Sequence, residues 1–227
     1  MFFWGDYTFI LLIPVLILAF YAQSKVSGAY KKYSQIPNRV GMTGAEAARL
    51  ILDRNGLKDV VIQPIKGTLT DNYNPRNLTL NLSEGVYNSR SLAAITIASH
   101  ECGHALQHAL GYAPIRVRNG IFPLANISST LAFPLFIIGL LFASTGLMDL
   151  GILLFAGALL FHVVTLPVEY NASSRALAQL GDQIVIDPEE MAGARKVLNA
   201  AALTYVAATL MALVNLLRLI ILRNERR

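Results

Sequence analysis

The chain has 227 residues, of which 54% are hydrophobic and only 15% are charged, and its formal net charge is +5. This balance is too apolar for an ordinary soluble domain and makes a membrane protein the first class to test. The basic residues are scattered beside apolar segments and form no single stripe, so anionic lipid headgroups account for them and no nucleic-acid partner is predicted.

Four uncharged stretches of the chain each approach or exceed the ~20 residues that a helix needs to cross a bilayer. From them we predict four transmembrane helices, at 4–24, 121–143, 150–168 and 197–222. The second stretch, 119–148, is longer than one span requires, so we expect its N-terminal part to lie at the membrane interface. The first could be a cleaved signal peptide, but no Lys or Arg precedes it and aromatic residues flank it, so we interpret it as a retained anchor. The fourth either spans the membrane or lies at its interface.

The distribution of basic residues predicts which side of the membrane each polar segment occupies. Four spans place 25–118 and 169–196 on one side, and these segments hold 15 of the 19 Lys and Arg residues. The positive-inside rule therefore predicts that this side faces the cytoplasm, in a multi-pass protein of the cell membrane. Four basic residues at the end of the fourth predicted span and beyond it depart from the rule, namely Arg218, Arg223, Arg226 and Arg227. Cys102, the only cysteine, cannot form an internal disulfide, which agrees with a reducing compartment.

The polar segment 25–118 is long enough for a small α+β domain. Within it, Thr43 and Glu46 have the spacing of a capping box, which predicts the start of an amphipathic helix. We predict three further elements, which are strands at 60–65 and 78–82 and a turn at 71–75. The strand at 78–82 could hold an extended substrate by edge pairing.

A helix predicted at about 91–110 carries the residues with the clearest chemistry. His100 and His104 stand four residues apart, so both imidazoles face the same side and can share one ion. Glu101 is rotated by about 100° from His100, which lets it take a proton from bound water without being a ligand. The residues before the motif are almost all apolar, so these polar side chains need compensating partners. The HExxH pattern therefore predicts one zinc ion per chain in preference to an ordinary polar helix face.

The third ligand should be a carboxylate from the same side of the membrane. Glu169 follows the predicted third span in an apolar context, and we expect it to begin a helix that docks on the motif helix. An interfacial helix-start carboxylate, favoured by the helix dipole, is the alternative interpretation. Glu84 remains possible, whereas 187–190 is better explained as a helix start with an N-cap Asp and a capping-box Glu. His108 lies ~12 Å along the helix from His100, too far for the same zinc, so we expect a structural or supporting role.

The HECGHALQH run at 100–108, the two following spans and the later Glu-Tyr-Asn-Ala stretch resemble the YugP-type family of bacterial membrane zinc metallopeptidases, over nearly the whole chain. More distantly, an HExxH helix followed by two spans and Glu-x-x-Ala resembles the HtpX and CAAX-processing proteases, which are gluzincins. The resemblance implies a gluzincin-like domain in which Glu169 is the third zinc ligand. Those proteases place an acidic residue where this chain has Ser173, so Asn171, Ser173 or Ser174 is expected to take its supporting role.

Together these residues predict a mainly α-helical, polytopic membrane protein that hydrolyses peptide bonds. Zinc held by the three predicted ligands would lower the pKa of its water towards ~7, and Glu101 would act as general base before returning a proton to the leaving amine. The donor to the tetrahedral oxyanion is predicted among Tyr205, Arg116 and His108. The expected partners are a peptide or membrane-protein substrate and the lipid bilayer.

Two other functions fit parts of this pattern. One is a non-enzymatic membrane scaffold or chaperone in which zinc only stabilises the cytoplasmic domain. The other is a transporter with His162 as a relay group, although four spans and one intramembrane histidine fit transport poorly. Replacing Glu101 by Gln separates the enzyme from the scaffold, because only an enzyme has activity to lose.

Overall fold

Helices dominate the computed structural model, which describes residues 7–184 and 186–225. The helices in this part of the chain are α1 (Leu12–Tyr33), α2 (Gly44–Arg54), α3 (Glu84–Tyr87), α4 (Leu92–Ala109), α5 (Ala113–Leu141), α6 (Thr145–Gln179) and α7 (Pro188–Asn224). A 3₁₀ turn (Tyr7–Leu11) precedes α1, and a π-helical turn (Leu180–Ile184) follows α6. With one small sheet, this confirms the predicted class of a mainly helical protein. Residues 4–6 of the first predicted span lie outside the described residues.

Four helical segments are long and apolar enough to cross a membrane, as predicted. They are Tyr7–Tyr33, Ala113–Leu141, Thr145–Ile184 and Pro188–Asn224. Each of the four continues into charged sequence, because a helix does not have to end where the hydrocarbon layer ends. The uncharged stretches therefore indicated how many spans there are, but the spans predicted from them are shorter than the helical segments observed.

The long uncharged stretch 119–148 contains a turn at the end of the second predicted span, which was placed at 121–143. α5 ends at Leu141, and Ala143 adopts a left-handed backbone conformation with a φ of 53°. The Ser144 N–H then donates to the Gly139 carbonyl at 2.8 Å, which closes the end of the helix.

The chain folds as two compact units. The membrane unit comprises Met1–Gln23, Arg116–Leu166 and Leu203–Arg227, and the motif unit, which carries the HExxH sequence, comprises Ser24–Ile115 and Pro167–Ala202. Four helices, α1, α5, α6 and α7, each contribute residues to both units.

Within the membrane unit, polar contacts join one end of α7 to two other elements. Arg223 makes a bidentate contact with Asp149, in the first turns of α6, at 2.7 and 2.8 Å. Arg218 donates to Thr8 at 3.0 Å, and its guanidinium lies 3.8 Å from the ring centroid of Phe9. The start of the first span, the start of the third and the end of the fourth therefore lie at one end of this unit. Four complete crossings require this arrangement.

The motif unit contains a three-stranded sheet of β1 (Val61–Ile65), β2 (Asn72–Asn74) and β3 (Thr79–Ser83) in the order β1-β3-β2. β1 runs parallel to β3, and β2 runs antiparallel to it. The predicted turn at 71–75 is wrong, because this stretch forms β2 and the chain turns after it. The predicted edge pairing at 78–82 is also wrong, because β3 is the central strand and both its edges are already paired.

The core of the motif unit lies between the sheet, α2 and α4. The predicted capping box opens α2: the Glu46 N–H donates to Thr43 Oγ1 at 3.1 Å, and the Thr43 N–H donates to Glu46 Oε2 at 2.7 Å. The side chains at the centre of this core are fully buried, namely Ile51, Leu52, Leu80, Leu82 and Ile95. This packing fixes α4 on one side, which leaves its other side for the motif residues.

The start of α7 has the predicted capping pattern. Asp187 Oδ1 accepts from the backbone N–H groups of Glu189 and Glu190, at 2.8 and 3.0 Å. The Asp187 N–H in turn donates to Glu190 Oε2 at 3.3 Å, and Pro188 occupies the first helical position. These carboxylates are therefore used in capping, as the sequence indicated.

Candidate metal centre

Helix α4 places the two motif histidines side by side. Ser91 caps the helix, since its side chain accepts a hydrogen bond from the Ala94 N–H at 3.2 Å. The apolar first half of α4 is buried in the core of the motif unit. His100 and His104 follow on one face, with ring centroids 4.8 Å apart and ring planes at 86°. Their four-residue spacing on a helix produces this proximity.

Helix α6 brings Glu169 to both histidines. Glu169 Oε2 lies 3.3 Å from His100 Nε2 and 3.6 Å from His104 Nε2, and the residue is only 3% exposed. The expectation that Glu169 begins a helix is wrong, because α6 continues through Pro167 and places Glu169 in its interior. The alternative interpretation fails for the same reason, since an interior residue faces no free helix N–H groups.

The two helices that carry these residues are in backbone contact at Gly103. A Cβ atom at this position would lie 2.5 Å from the Ala172 carbonyl oxygen and 3.1 Å from the Ala172 Cα. Such distances are far below van der Waals contact, so no other residue fits here without displacement of a helix. Gly103 lies between the two histidines in sequence, and Ala172 follows Glu169 by one turn. The close crossing is therefore what lets the carboxylate reach the imidazoles.

Each histidine also has a partner at its second ring nitrogen. Ser173 Oγ lies 3.2 Å from His100 Nδ1, and Gln107 Oε1 lies 3.0 Å from His104 Nδ1. Of the three residues suggested as substitutes for the acidic residue of the gluzincins, Ser173 is thus the one that contacts a histidine. Both contacts engage Nδ1 and leave Nε2 directed to Glu169, which is the geometry that a metal-binding histidine requires.

Glu101 is buried beside this cluster. Burial raises the pKa of its carboxyl to about 7; His100 lowers it, and the neighbouring carboxylates of Glu169 and Asp71 raise it. A hydrogen bond from the Tyr73 backbone also reaches this carboxyl. Glu101 does not belong to the group that could hold an ion. It is therefore a buried carboxyl beside the two histidines that lies outside the candidate ligand set.

His108 and Tyr73 form a pair next to the motif. Tyr73 Oη lies 2.9 Å from His108 Nδ1, and the two ring centroids are 5.9 Å apart. His108 is outside the ion-binding group, in agreement with its spacing along α4. Because Tyr73 contacts both Glu101 and His108, β2 is joined to the motif helix at two points.

Other residues named from the sequence lie elsewhere in the fold. Arg116 is on α5 and Tyr205 is on α7, both in the membrane unit, and their roles as oxyanion donors stay predictions. Glu84, the alternative ligand, is the exposed first residue of α3. Asn171 Oδ1 accepts hydrogen bonds from Gln107 Nε2 at 3.0 Å and from Arg175 Nε at 2.8 Å.

The donor set of His100, His104 and Glu169 fits zinc. Among the described residues this is the group that could hold an ion, and its three candidate ligand atoms lie within 4.8 Å of one another. Ligand atoms placed tetrahedrally at ~2.0–2.1 Å from zinc lie about 3.3–3.4 Å apart, close to the 3.3 and 3.6 Å that separate Glu169 Oε2 from the two Nε2 atoms. Two imidazoles and one carboxylate also leave a fourth position, as catalytic zinc sites do.

Sequence comparison independently relates the chain to zinc proteins. The family described as "Putative neutral zinc metallopeptidase" matches residues 8–224. The chain belongs to this family. Membership in the neutral zinc metallopeptidase family confirms the resemblance inferred from the HECGH motif, and the family description names zinc as the metal and peptidase as the class of activity.

The chain is also similar to a membrane protein of Bacillus subtilis (strain 168), described as "Putative membrane protease YugP". The two are 50% identical over 212 residues, which cover 93% of this chain and 94% of that relative. With the four apolar helices, this similarity supports the assignment of this member of the neutral zinc metallopeptidase family to a membrane. No solved structure matches the chain.

Sequence reasoning missed two residues of this site. Gln107 stands three positions after His104 on the same helix face, and that i, i+3 spacing was a usable signal for contact. Tyr73 had no comparable signal, because its position depends on the pairing of β2 with β3, and that stretch was predicted to be a turn.

Proposed function

We propose that this protein is a membrane-embedded zinc metalloendopeptidase with one zinc ion per chain. The observation that carries the proposal is the convergence of His100, His104 and Glu169, with their candidate ligand atoms within 4.8 Å and a buried Glu101 beside them. His100 and His104 would bind through Nε2, and Glu169 through its carboxylate. When bound, the ion supplies Lewis acidity that polarises a substrate carbonyl and makes water a better nucleophile.

Glu101 moves the proton in the proposed reaction. It removes a proton from water as the water oxygen forms a bond to the carbonyl carbon of the peptide. It then gives that proton to the amide nitrogen as the carbon–nitrogen bond breaks, so a carboxylic acid and an amine are the products. A single carboxylate can serve in both steps because it leaves each turnover in the state in which it began. Its exclusion from the ligand group keeps both oxygens available for this transfer.

Three residues are candidates to donate a hydrogen bond to the oxyanion. His108 is nearest to the motif in sequence and is paired with Tyr73. Arg116 and Tyr205 are the other two predicted donors. The basic residues of the motif unit favour a cytoplasmic position for the site, and the proposed substrates are peptides or membrane proteins.

Conservative replacement of Glu101 tests this function. The purified full-length protein would be assayed for zinc content and for cleavage of casein and of membrane proteins, with and without a chelator. We expect Glu101→Gln to abolish cleavage and retain zinc, and His104→Ala to lose both. The exposed Glu84→Gln gives a matched control of the same chemistry and should leave both unchanged. Stoichiometric zinc in a wild-type protein that cleaves nothing would favour the scaffold function and reject the proposal.

A further inference from the structure

A buried amide connects the second motif histidine to the helix of the third candidate ligand. Gln107 is 0% exposed, and its side chain has a contact at each end. Its Oε1 lies 3.0 Å from His104 Nδ1, and its Nε2 donates to the Val168 carbonyl at 2.7 Å and to Asn171 Oδ1 at 3.0 Å. Val168 directly precedes the carboxylate Glu169 in sequence.

The partners of Gln107 fix which end of its amide is the donor. The Val168 backbone carbonyl can only accept a hydrogen bond, so the Gln107 atom that faces it must be the NH₂ group. Asn171 gives the same answer: its Oδ1 also faces Arg175 Nε at 2.8 Å, and since an arginine nitrogen only donates, the Asn171 atom is the oxygen. Two independent acceptors therefore direct the Gln107 NH₂ towards α6, which leaves the carbonyl oxygen facing His104.

The orientation of the amide in turn fixes the proton on His104. An amide oxygen only accepts, so the His104 Nδ1 that faces it must carry a proton. A neutral imidazole with a proton on Nδ1 has a lone pair on Nε2, the atom that lies 3.6 Å from Glu169 Oε2. His100 has no comparable constraint, because the Ser173 hydroxyl at its Nδ1 can either donate or accept.

We infer that Gln107 is a positioning residue that holds His104 in the tautomer required for metal binding. Its hydrogen bonds to the Val168 carbonyl and to Asn171 Oδ1, which also accepts from Arg175, fix the orientation of its amide. The inference rests on the proposed function, in which His104 Nε2 is a zinc ligand. It assigns a role to the third residue after the HExxH motif, and it explains why a polar side chain is fully buried between two helices. Partners of this kind typically change metal affinity by about 10–100-fold when they are removed.

Two variants separate orientation of the imidazole from simple packing between helices. Gln107→Leu removes both the acceptor for His104 and the donors to α6. Gln107→Glu keeps an acceptor for the imidazole N–H and loses the donors, so it should recover the tautomer even if it weakens the helix contact. Gln179→Leu is the matched control, because Gln179 is a helical glutamine whose amide oxygen accepts from Asn55, the C-cap residue of α2.

The first measurement is the tautomer of His104 in the metal-free, full-length protein. Nitrogen chemical shifts of ¹⁵N-histidine, assigned with His104→Ala, distinguish a proton on Nδ1 from one on Nε2. We expect the Nδ1–H form in wild type, in Gln107→Glu and in Gln179→Leu, and a shift towards the Nε2–H form in Gln107→Leu. A wild-type His104 that has no proton on Nδ1 overturns the inference, whether or not the protein cleaves peptides.

The second measurement is zinc affinity, by competition with a chromophoric chelator. We expect Gln107→Leu to bind zinc about 10–100-fold more weakly than wild type, and Gln107→Glu to regain most of that loss. If His104→Ala abolishes zinc binding while Gln107→Leu binds as tightly as wild type, the metal site stands and the role of Gln107 is rejected. If His104→Ala binds zinc as well as wild type, the proposed function itself fails, and the tautomer alone decides the inference.

Discussion

Replacement of Gly103 by alanine would test whether close contact between α4 and α6 assembles the metal centre. The added Cβ would lie 2.5 Å from the Ala172 carbonyl oxygen, whereas a relaxed carbon–oxygen contact is about 3.3 Å. The helices must therefore separate by about 0.8 Å at this point. Zinc–ligand distances tolerate a deviation of only about 0.2 Å. Since Glu169 lies on one helix and both histidines on the other, the separation acts directly on the 3.3 and 3.6 Å spacings between them.

We expect Gly103→Ala to weaken zinc binding at least tenfold and to lower the free energy of unfolding of the metal-free protein by about 1–3 kcal/mol, as overpacking typically does. Zinc affinity would be measured by chelator competition, and stability by denaturant unfolding in detergent. Gly28→Ala is the control, because Gly28 is also helical, on α1 in the motif unit, and has nothing within 4 Å of an added Cβ. It should be neutral or slightly stabilising, since alanine favours helix over glycine. Wild-type zinc affinity in Gly103→Ala would refute the reasoning.

Two further changes probe the site and its place in the membrane. Ser173→Ala should weaken zinc binding about tenfold, because His100 Nδ1 loses its partner. Ser173→Asp offers a carboxylate to the same nitrogen and should bind zinc at least as tightly as wild type. Chelator competition measures both affinities, and an affinity of Ser173→Ala equal to that of wild type would exclude a supporting role for Ser173. For orientation, Lys58→Cys in the motif unit should react with an impermeant thiol reagent only from the cytoplasmic side, and Thr145→Cys, before the third span, only from outside. Both positions are exposed, and Cys102 is fully buried and gives no background. The opposite labelling pattern would reverse the predicted topology.

The spans could be predicted because membrane crossing depends on a local property, a sufficient length of apolar sequence. The ends of the helices could not, because they depend on contacts and turns. α6 continues past Glu169 to Gln179 even though the sequence becomes polar there.

The same distinction applies to the site, where some contacts follow from neighbouring residues in the sequence and others from the packing of distant segments. The proximity of His100 and His104 follows from helical spacing, and the capping boxes at Thr43 and Asp187 follow from short sequence patterns. Glu169 could be chosen because an acidic residue in an apolar context needs a partner. The contacts of Gln107 with α6, and of Tyr73 with His108, depend on how distant segments pack, and neither followed from composition or periodicity.

The separation of 69 positions between His100 and Glu169 has a consequence for biogenesis. Both predicted membrane crossings of α5 and α6 are translated between the histidines and the carboxylate. A nascent chain that has not yet synthesised α6 therefore holds two ligands of the proposed three and cannot complete the site. Under the proposed function, the metal centre is therefore completed only after the transmembrane part of α6 has been translated.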